Sequence, residues 1–264
     1  MQTTEIQVAV EKHTAIVRFM RPDSLNALSD TMLAETRAAM QAFELDHVIK
    51  AVILTGDDNA FCSGGDLKAS AGNLLAPYDR YLARFTQSEW HNFMRFLSRY
   101  PKPVIAAIEG YCLGGGLEIA LRCDFAIGSE SVSIGMTETR HSLFPILGGA
   151  WLLAQCVGER VAKEMIFTGQ RVDGMTAHDL GILNHVVATG QALAKALDIA
   201  DEIAGNGPLA ITMAKQAVDR ARGQTFDDAL TAGGEFSALL FFSRDRQEGL
   251  TAFKEKRKPD FKGE

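Results

Sequence analysis

Apolar and polar positions alternate twice near the start of the chain. Ile6, Val8 and Val10 form one set, and Ala15, Val17 and Phe19 form the other, with Lys12-His13 between them. A period of two on either side of a polar break predicts two strands joined as a hairpin. The period then changes. Ser29 suits an N-cap, and Met32, Leu33, Thr36, Met40 and Phe43 fall on one helical face behind it. Ala51-Val52-Ile53-Leu54 is a continuous apolar run that stops before Gly56, as a strand buried on both faces should read. Residues 77–99 mix polar and aromatic positions in a helical pattern. Residues 103–108 form another apolar strand, closed by Glu109-Gly110. Three glycines, Gly114 to Gly116, open a short helix over 117–121, and strands return at 124–128 and 132–135. Strands and helices alternate to about residue 190, which predicts an α/β fold with both sheet faces covered. Beyond Gly190 only helical patterns remain, over 192–204, 209–221, 225–240 and 243–253, with Pro208 and Thr225 as N-terminal signals. The chain thus divides into a core, 1–195, and a helical region, 196–264, without a fixed-period repeat or a low-complexity linker.

Composition adds little until charge is mapped. The 264 residues are 47% hydrophobic, enough for a sizeable core and too many for a chain mainly disordered. A net charge of −6 excludes a general nucleic-acid footprint. From Arg244 to Glu264, however, seven basic residues face five acidic ones. A local basic cluster on an acidic protein suits a small anionic ligand, or a solvated helix face. Cys62, Cys112, Cys123 and Cys156 form no C-x-x-C pair, so neither a zinc ligand set nor a disulfide framework is expected, and a reducing, cytoplasmic setting is the default. The N-terminal residues lack a signal-peptide pattern. The longest apolar stretch, 104–121, is interrupted by Glu109 and Glu118, so no membrane span and no membrane partner are expected.

Glycine carries the chemistry. There are 24, about 9% against a background of roughly 7%. Two glycine-rich segments each follow a strand: Ala60-Phe61-Cys62-Ser63-Gly64-Gly65-Asp66-Leu67-Lys68, and Gly110-Tyr111-Cys112-Leu113-Gly114-Gly115-Gly116-Leu117-Glu118. Such turns let backbone N–H groups approach a ligand, and a helix N-terminus behind each adds partial positive charge. Two of them facing each other suit a developing oxyanion, although glycine-rich strand–helix turns also occur for purely structural reasons. Neither segment fits the P-loop or the dinucleotide fingerprint, and G-x-S-x-G and H-E-x-x-H are absent. Two acids stand in apolar surroundings just past glycine-marked strand ends: Glu118 in Leu117-Glu118-Ile119-Ala120-Leu121, and Glu138 in Met136-Thr137-Glu138. Buried carboxyls of this kind exchange protons near neutral pH, whereas solvated or salt-bridged ones do not.

With Arg21-Pro22-Asp23-Ser24-Leu25-Asn26-Ala27-Leu28, the two glycine segments, Ile134–Glu138 and Phe253-Lys254-Glu255-Lys256-Arg257-Lys258-Pro259 in this order, the chain resembles the enoyl-CoA hydratase/isomerase (crotonase) superfamily nearly end to end. The resemblance implies a crotonase-like spiral of ββα units with a C-terminal helical oligomerisation region that builds trimers or hexamers. It implies an acyl-CoA substrate and no separate cofactor or metal. By motif position, the thioester oxygen would sit between the N–H groups of Cys62 and Gly115. Glu118 would handle the attacking water and Glu138 the proton at C2, the joint presence of both acids favouring a hydratase over an isomerase, a lyase on a functionalised acyl-CoA or a non-catalytic acyl-CoA binding protein. Ser24, Leu25, Ala60, Gly64, Asp66, Leu67, Lys68 and Gly114 would line the coenzyme A and substrate groove, with Phe253 and Lys256 contributing from the C-terminal region. The chain departs from the pattern at Asp23, at Thr137, at the bulky Ile146-Leu147, and at Arg140 and His141 beside the second acid. An Arg140–Glu138 pair would lower that acid's pKa; a surface-facing Arg140, the plainer reading, would not.

Overall fold

The computed structural model describes residues 3–66, 82 and 86–264. The hairpin forms as β1 (Ile6–Glu11) and β2 (Thr14–Phe19), paired antiparallel with Ile6 opposite Phe19. Its two strands are not buried alike. β2 is covered almost throughout, while β1, at the sheet edge, exposes Val8 and Val10. Helix α1 (Asp30–Leu45) packs on this hairpin, capped by Ser29, whose side chain accepts the Met32 N–H. Met32, Leu33, Thr36 and Met40 are its buried face, as their spacing requires.

The next strands come in pairs, β3 (Ala51–Thr55) with β4 (Ala60–Cys62), β5 (Val104–Ile108) with β6 (Tyr111–Leu113), and β7 (Phe125–Ser129) with β8 (Ser133–Gly135). The first of each pair enters a six-stranded sheet of order β1-β2-β3-β5-β7-β9, where β9 is His185–Val187. The second enters a three-stranded sheet, β4-β6-β8, parallel throughout. The chain therefore winds as a spiral of ββα turns. The sequence pattern reads β4 and β6 as parts of glycine-rich turns, because three residues are too short to show a period.

The helices are α2 (Glu89–Leu97), α3 (Gly115–Arg122), α4 (Gly149–Val157), α5 (Glu159–Thr168), α6 (Gly174–Asp179), α7 (Ala192–Ala204), α8 (Pro208–Ala221), α9 (Phe226–Phe241) and α10 (Arg244–Glu255). Of the helical pattern over 77–99, α2 is described; most of the remainder lies outside the described residues. Alternate residues of the large sheet point into two cores. Val52, Leu54, Ala106 and Ile108 join the main core under α1 and α3. Ala51, Ile53, Ile105, Ala107 and Ile127 face α7, which meets them with Ala192, Ala196 and Ala200. Alanines at i, i+4 and i+8 let the helix lie close to the sheet, and this two-sided cover explains the continuous apolar runs. Position 195, the division drawn from the sequence, lies within α7. Lys215 of α8 docks on the Lys102 carbonyl at 2.9 Å and Asp124 at 2.8 Å, beside the end of α3.

One buried acid outside the site anchors the edge of the fold. Glu35 on α1 accepts the Thr4 N–H at 2.8 Å, the Thr4 hydroxyl at 2.9 Å and the Glu5 N–H at 2.9 Å. Burial opposes its ionisation, but these bonds outweigh burial and hold the carboxyl below its ordinary range. Glu35→Ala orphans these donors and is expected to cost about 1–3 kcal/mol at pH 7. Because the folded pKa lies below the unfolded one, this contribution is complete above the ordinary carboxylate range and fades as pH falls through the depressed value. Thermal melts of the two proteins should therefore converge as pH falls below the ordinary carboxylate range.

Candidate active site

The first glycine loop leaves β4 and is zipped along the segment 21–28. The Ser63 N–H donates to the Leu25 carbonyl at 3.0 Å, the Leu28 N–H to the Gly64 carbonyl at 2.8 Å, and the Ser63 hydroxyl to the Ser24 carbonyl at 3.2 Å. Asn26, fully buried in a left-handed conformation, donates to the Ala60 carbonyl at 2.8 Å and accepts the Arg21 N–H at 2.8 Å. Arg21 bonds the Ala27 carbonyl and pairs with Asp66 at 3.0 Å and Glu5 at 3.3 Å. Asp66 is thus part of the clamp that holds this loop. Arg21 and Asn26 lie in the quoted motif, but their clamping role shows only once the loop lies beside them.

The second loop leaves β6 and opens α3. Gly114 has φ +50°, and its N–H donates to Gly135 at 2.9 Å. The two loops touch through their backbones. A Cβ on Gly116 would lie 2.3 Å from the Cys62 carbonyl oxygen, and one on Gly64 would lie 3.0 Å from the Leu113 oxygen and 3.4 Å from the Gly115 nitrogen. Only glycine permits this approach. Gly115 is the first residue of α3, where an N–H has no intrahelical acceptor and the helix end carries partial positive charge. The helix expected behind the first loop falls outside the described residues, as do Leu67 and Lys68. The Cys62 thiol is buried and its pKa is pushed up to about 12 by that burial, so it is a protonated core side chain rather than a nucleophile.

Both acids reach this junction. Glu118 projects from α3 and is 1% exposed. Its Oε1 accepts two backbone N–H groups, from Leu147 at 2.8 Å and Gly149 at 2.7 Å. Burial raises its pKa to about 7. The charge of Glu138 adds to the rise, and the two N–H donors oppose it. Glu138 begins a 3-10 turn, Glu138–His141, and its carboxyl lies against Gly114, where a Cβ would be 3.1 Å from Oε1. Both of its carboxyl oxygens are buried without a hydrogen-bond partner, and burial raises its pKa too. The Glu138 charge thus acts on Glu118 as a secondary influence behind burial. The arrangement joins a two-loop backbone junction to two carboxyls whose pKa values burial raises, that of Glu118 to about 7.

The remaining expectations fall into place around it. Arg140 turns away from Glu138; its Nε donates to the Thr168 carbonyl at 3.4 Å and its stem covers Gly169. His141 is exposed. Leu147 is buried in the core, with Ile146 packed against that core, so part of the bulk expected at the acyl pocket goes into packing. Gly149 would carry a Cβ 2.6 Å from the Glu118 Cγ, so glycine there makes room for the acid. The donor role of 147 and 149 went unread in the sequence; the Gly148-Gly149 pair was its only trace. Phe253 and Lys256 end α10, both exposed, on an element whose side-chain bonds run to the chain's own tail: Asp245 accepts the Lys262 and Gly263 N–H groups, and Glu248 pairs with Arg257 at 2.5 Å. Among the described residues, no cluster of three or more His, Cys, Asp or Glu side chains is placed to hold a metal ion.

Comparison with known proteins gives a consistent set of relatives. Residues 10–264 match the family model described as enoyl-CoA hydratase/isomerase. The mitochondrial enoyl-CoA hydratase of Pongo abelii is 35% identical over 251 residues, covering 94% of this chain and 83% of that protein. The crystal structure of enoyl-CoA hydratase from Bacillus anthracis superimposes with a TM-score of 0.92 at 36% identity, over 99% of this chain and 100% of the other. That of enoyl-CoA hydratase from Mycobacterium tuberculosis H37Rv does so with a TM-score of 0.88 at 30% identity, over 98% and 99%.

Proposed function

This chain belongs to the enoyl-CoA hydratase/isomerase (crotonase) family, and we propose that within it the protein adds water reversibly across the 2,3 double bond of an enoyl-CoA thioester. The observation that carries this reading is the pair of buried carboxyls, Glu118 anchored by the Leu147 and Gly149 amides and Glu138 unpartnered against Gly114. Hydration must remove a proton from water and deliver one to C2, so two such groups suit it. Migration of a double bond can be served by one. In the proposed reaction the thioester oxygen accepts the N–H groups of Cys62 and Gly115. Glu118 takes a proton from the water as its oxygen bonds C3. The π electrons move onto the thioester oxygen as an enolate, and Glu138 protonates C2 as the enolate collapses. Each preorganised amide is worth about 10²–10³ in rate.

Ser24, Leu25, Ala60, Asp66, Leu67 and Lys68 are assigned to the coenzyme A groove, with Phe253 and Lys256 reaching it from a neighbouring subunit. Self-association is supported by α9, which has no fully buried residue and exposes Phe226, Leu230, Leu239 and Phe241; a trimer or a pair of trimers is the proposed state. No helix among the described residues is long and apolar enough to cross a membrane, and a cytoplasmic location is the proposal.

The test is a panel of enoyl- and 3-hydroxyacyl-CoA substrates analysed by mass spectrometry. Interconversion of the two classes supports the reading; binding without turnover across the panel contradicts it. A pH profile sharpens it. A base must be ionised, so kcat/KM should rise through pH about 7, where Glu118 titrates. Removing the neighbouring charge with Glu138→Gln should move that limb of the residual activity to lower pH. An unmoved limb would mean that another group sets it.

A further inference from the structure

Glu109 is a buried carboxylate that the proposed reaction does not use. It follows β5 and is 8% exposed. Its Oε1 accepts the N–H of Ala192 at 3.0 Å, while Oε2 is buried without a hydrogen-bond partner. Ala192 is the first residue of α7, and Gln191, at the cap position, makes no side-chain cap bond. Glu109 therefore supplies that cap from 83 residues away, in a place where the helix dipole favours a negative charge.

The backbone around Glu109 is a junction of all three strands of the small sheet. The Glu109 carbonyl accepts the Phe61 N–H at 2.9 Å, fixing β4. The Gly110 carbonyl accepts the Ser133 N–H at 2.9 Å, fixing β8, and Tyr111 at the start of β6 donates to Asn59 at 3.0 Å. Gly110 has φ +58°, and a Cβ there would lie 1.9 Å from the Asn59 oxygen, so the junction cannot shift by adopting another residue's geometry. Each strand leads directly to a piece of the site. Cys62 follows Phe61, Gly115 closes the run from Tyr111, and Glu138 follows β8.

We propose that Glu109 is a positioning residue, whose carboxylate fixes the three-stranded sheet to the first turn of α7 and thereby sets the spacing between the Cys62 and Gly115 amides. The claim rests on the hydratase reading for its kinetic consequence. Amides aimed at a developing charge act on the transition state more than on the ground state, so their displacement should lower kcat more than it alters KM.

The test compares Glu109→Ala, Glu109→Asp and Glu109→Gln by steady-state kinetics on crotonyl-CoA and by amide hydrogen exchange. Gln keeps an acceptor at full reach and should stay within twofold of the parent. Asp keeps the charge but is one methylene short. Ala and Asp should lose about tenfold or more in kcat with KM within twofold, and exchange should quicken in 60–66 and 110–118 but not in 30–45. Where Glu109→Ala does not fold, Glu109→Asp carries the comparison. Parental kcat and parental exchange in Glu109→Asp would overturn the proposal and leave Glu109 a stabilising cap alone. If the parent protein hydrates no substrate, the hydratase reading fails, and the exchange pattern still decides for or against Glu109.

Discussion

Glu118→Gln is expected to lower the turnover of a 2-enoyl-CoA by about 10²–10⁴ while making the folded protein more stable at pH 8. The two effects have one origin. Gln keeps an oxygen for the Leu147 and Gly149 N–H groups, so the loop before α4 stays in place. It cannot accept a proton from water, so the base is lost. The stability effect follows from the raised pKa. Burial first, then Glu138, lift the folded value to about 7, above the ordinary carboxylate value. Such a group favours the folded state most below its unfolded pKa, and that advantage is lost as pH rises through about 7. At pH 8 the ionised Glu118 therefore weakens the fold, by something on the order of 3 kcal/mol, and the neutral amide removes that burden. Melting temperatures should separate at pH 8, with the variant higher, and draw together at pH 5. Turnover within tenfold of the parent would remove Glu118 from the role of base.

Gly116→Ala should be nearly as damaging, through geometry alone. Its Cβ would lie 2.3 Å from the Cys62 carbonyl oxygen and 2.9 Å from the carbonyl carbon, both backbone atoms that cannot rotate aside. The two loops must part, and the two amides with them. Misaiming one donor costs about 10²–10³ in kcat, and the forced repacking costs about 1–3 kcal/mol of stability. Gly223→Ala, in the turn after α8, is the control. A Cβ there meets nothing within 4 Å, so the substitution should leave turnover unchanged. Equal activity in the two variants would mean that the loop contact is incidental to the chemistry.

The elements legible in the sequence are those with enough length to show a period. The hairpin, α1 with its Ser29 cap, the buried strands at 51–55 and 104–108, and α7 to α10 with Pro208 and Thr225 at two of their starts all form near where the pattern places them. β4, β6 and β8 carry the site, yet each is three residues long, and two of them hid inside what read as glycine turns. The acids were legible as oddities, charged residues in apolar runs. Their environment was not, since the amides that hold Glu118 come from residues 29 and 31 positions away. Arg140 illustrates the same limit. Adjacency in sequence leaves a Glu138 pair and a surface-facing side chain both open, and the structure has the second: Arg140 is exposed, its Nε at the end of α5, and the Glu138 oxygens have no hydrogen-bond partner. Glu109 read only as the close of a strand, because its partner lies 83 residues on.

Water addition at C3 is the central claim, and isotope incorporation reads it directly. Crotonyl-CoA should be converted by the protein in H₂¹⁸O and the products resolved by mass spectrometry. Hydration gives 3-hydroxybutyryl-CoA carrying one ¹⁸O at C3, formed by the parent and not by Glu118→Gln. A rearranged enoyl-CoA without label, or unchanged crotonyl-CoA alongside tight coenzyme A binding, would contradict it.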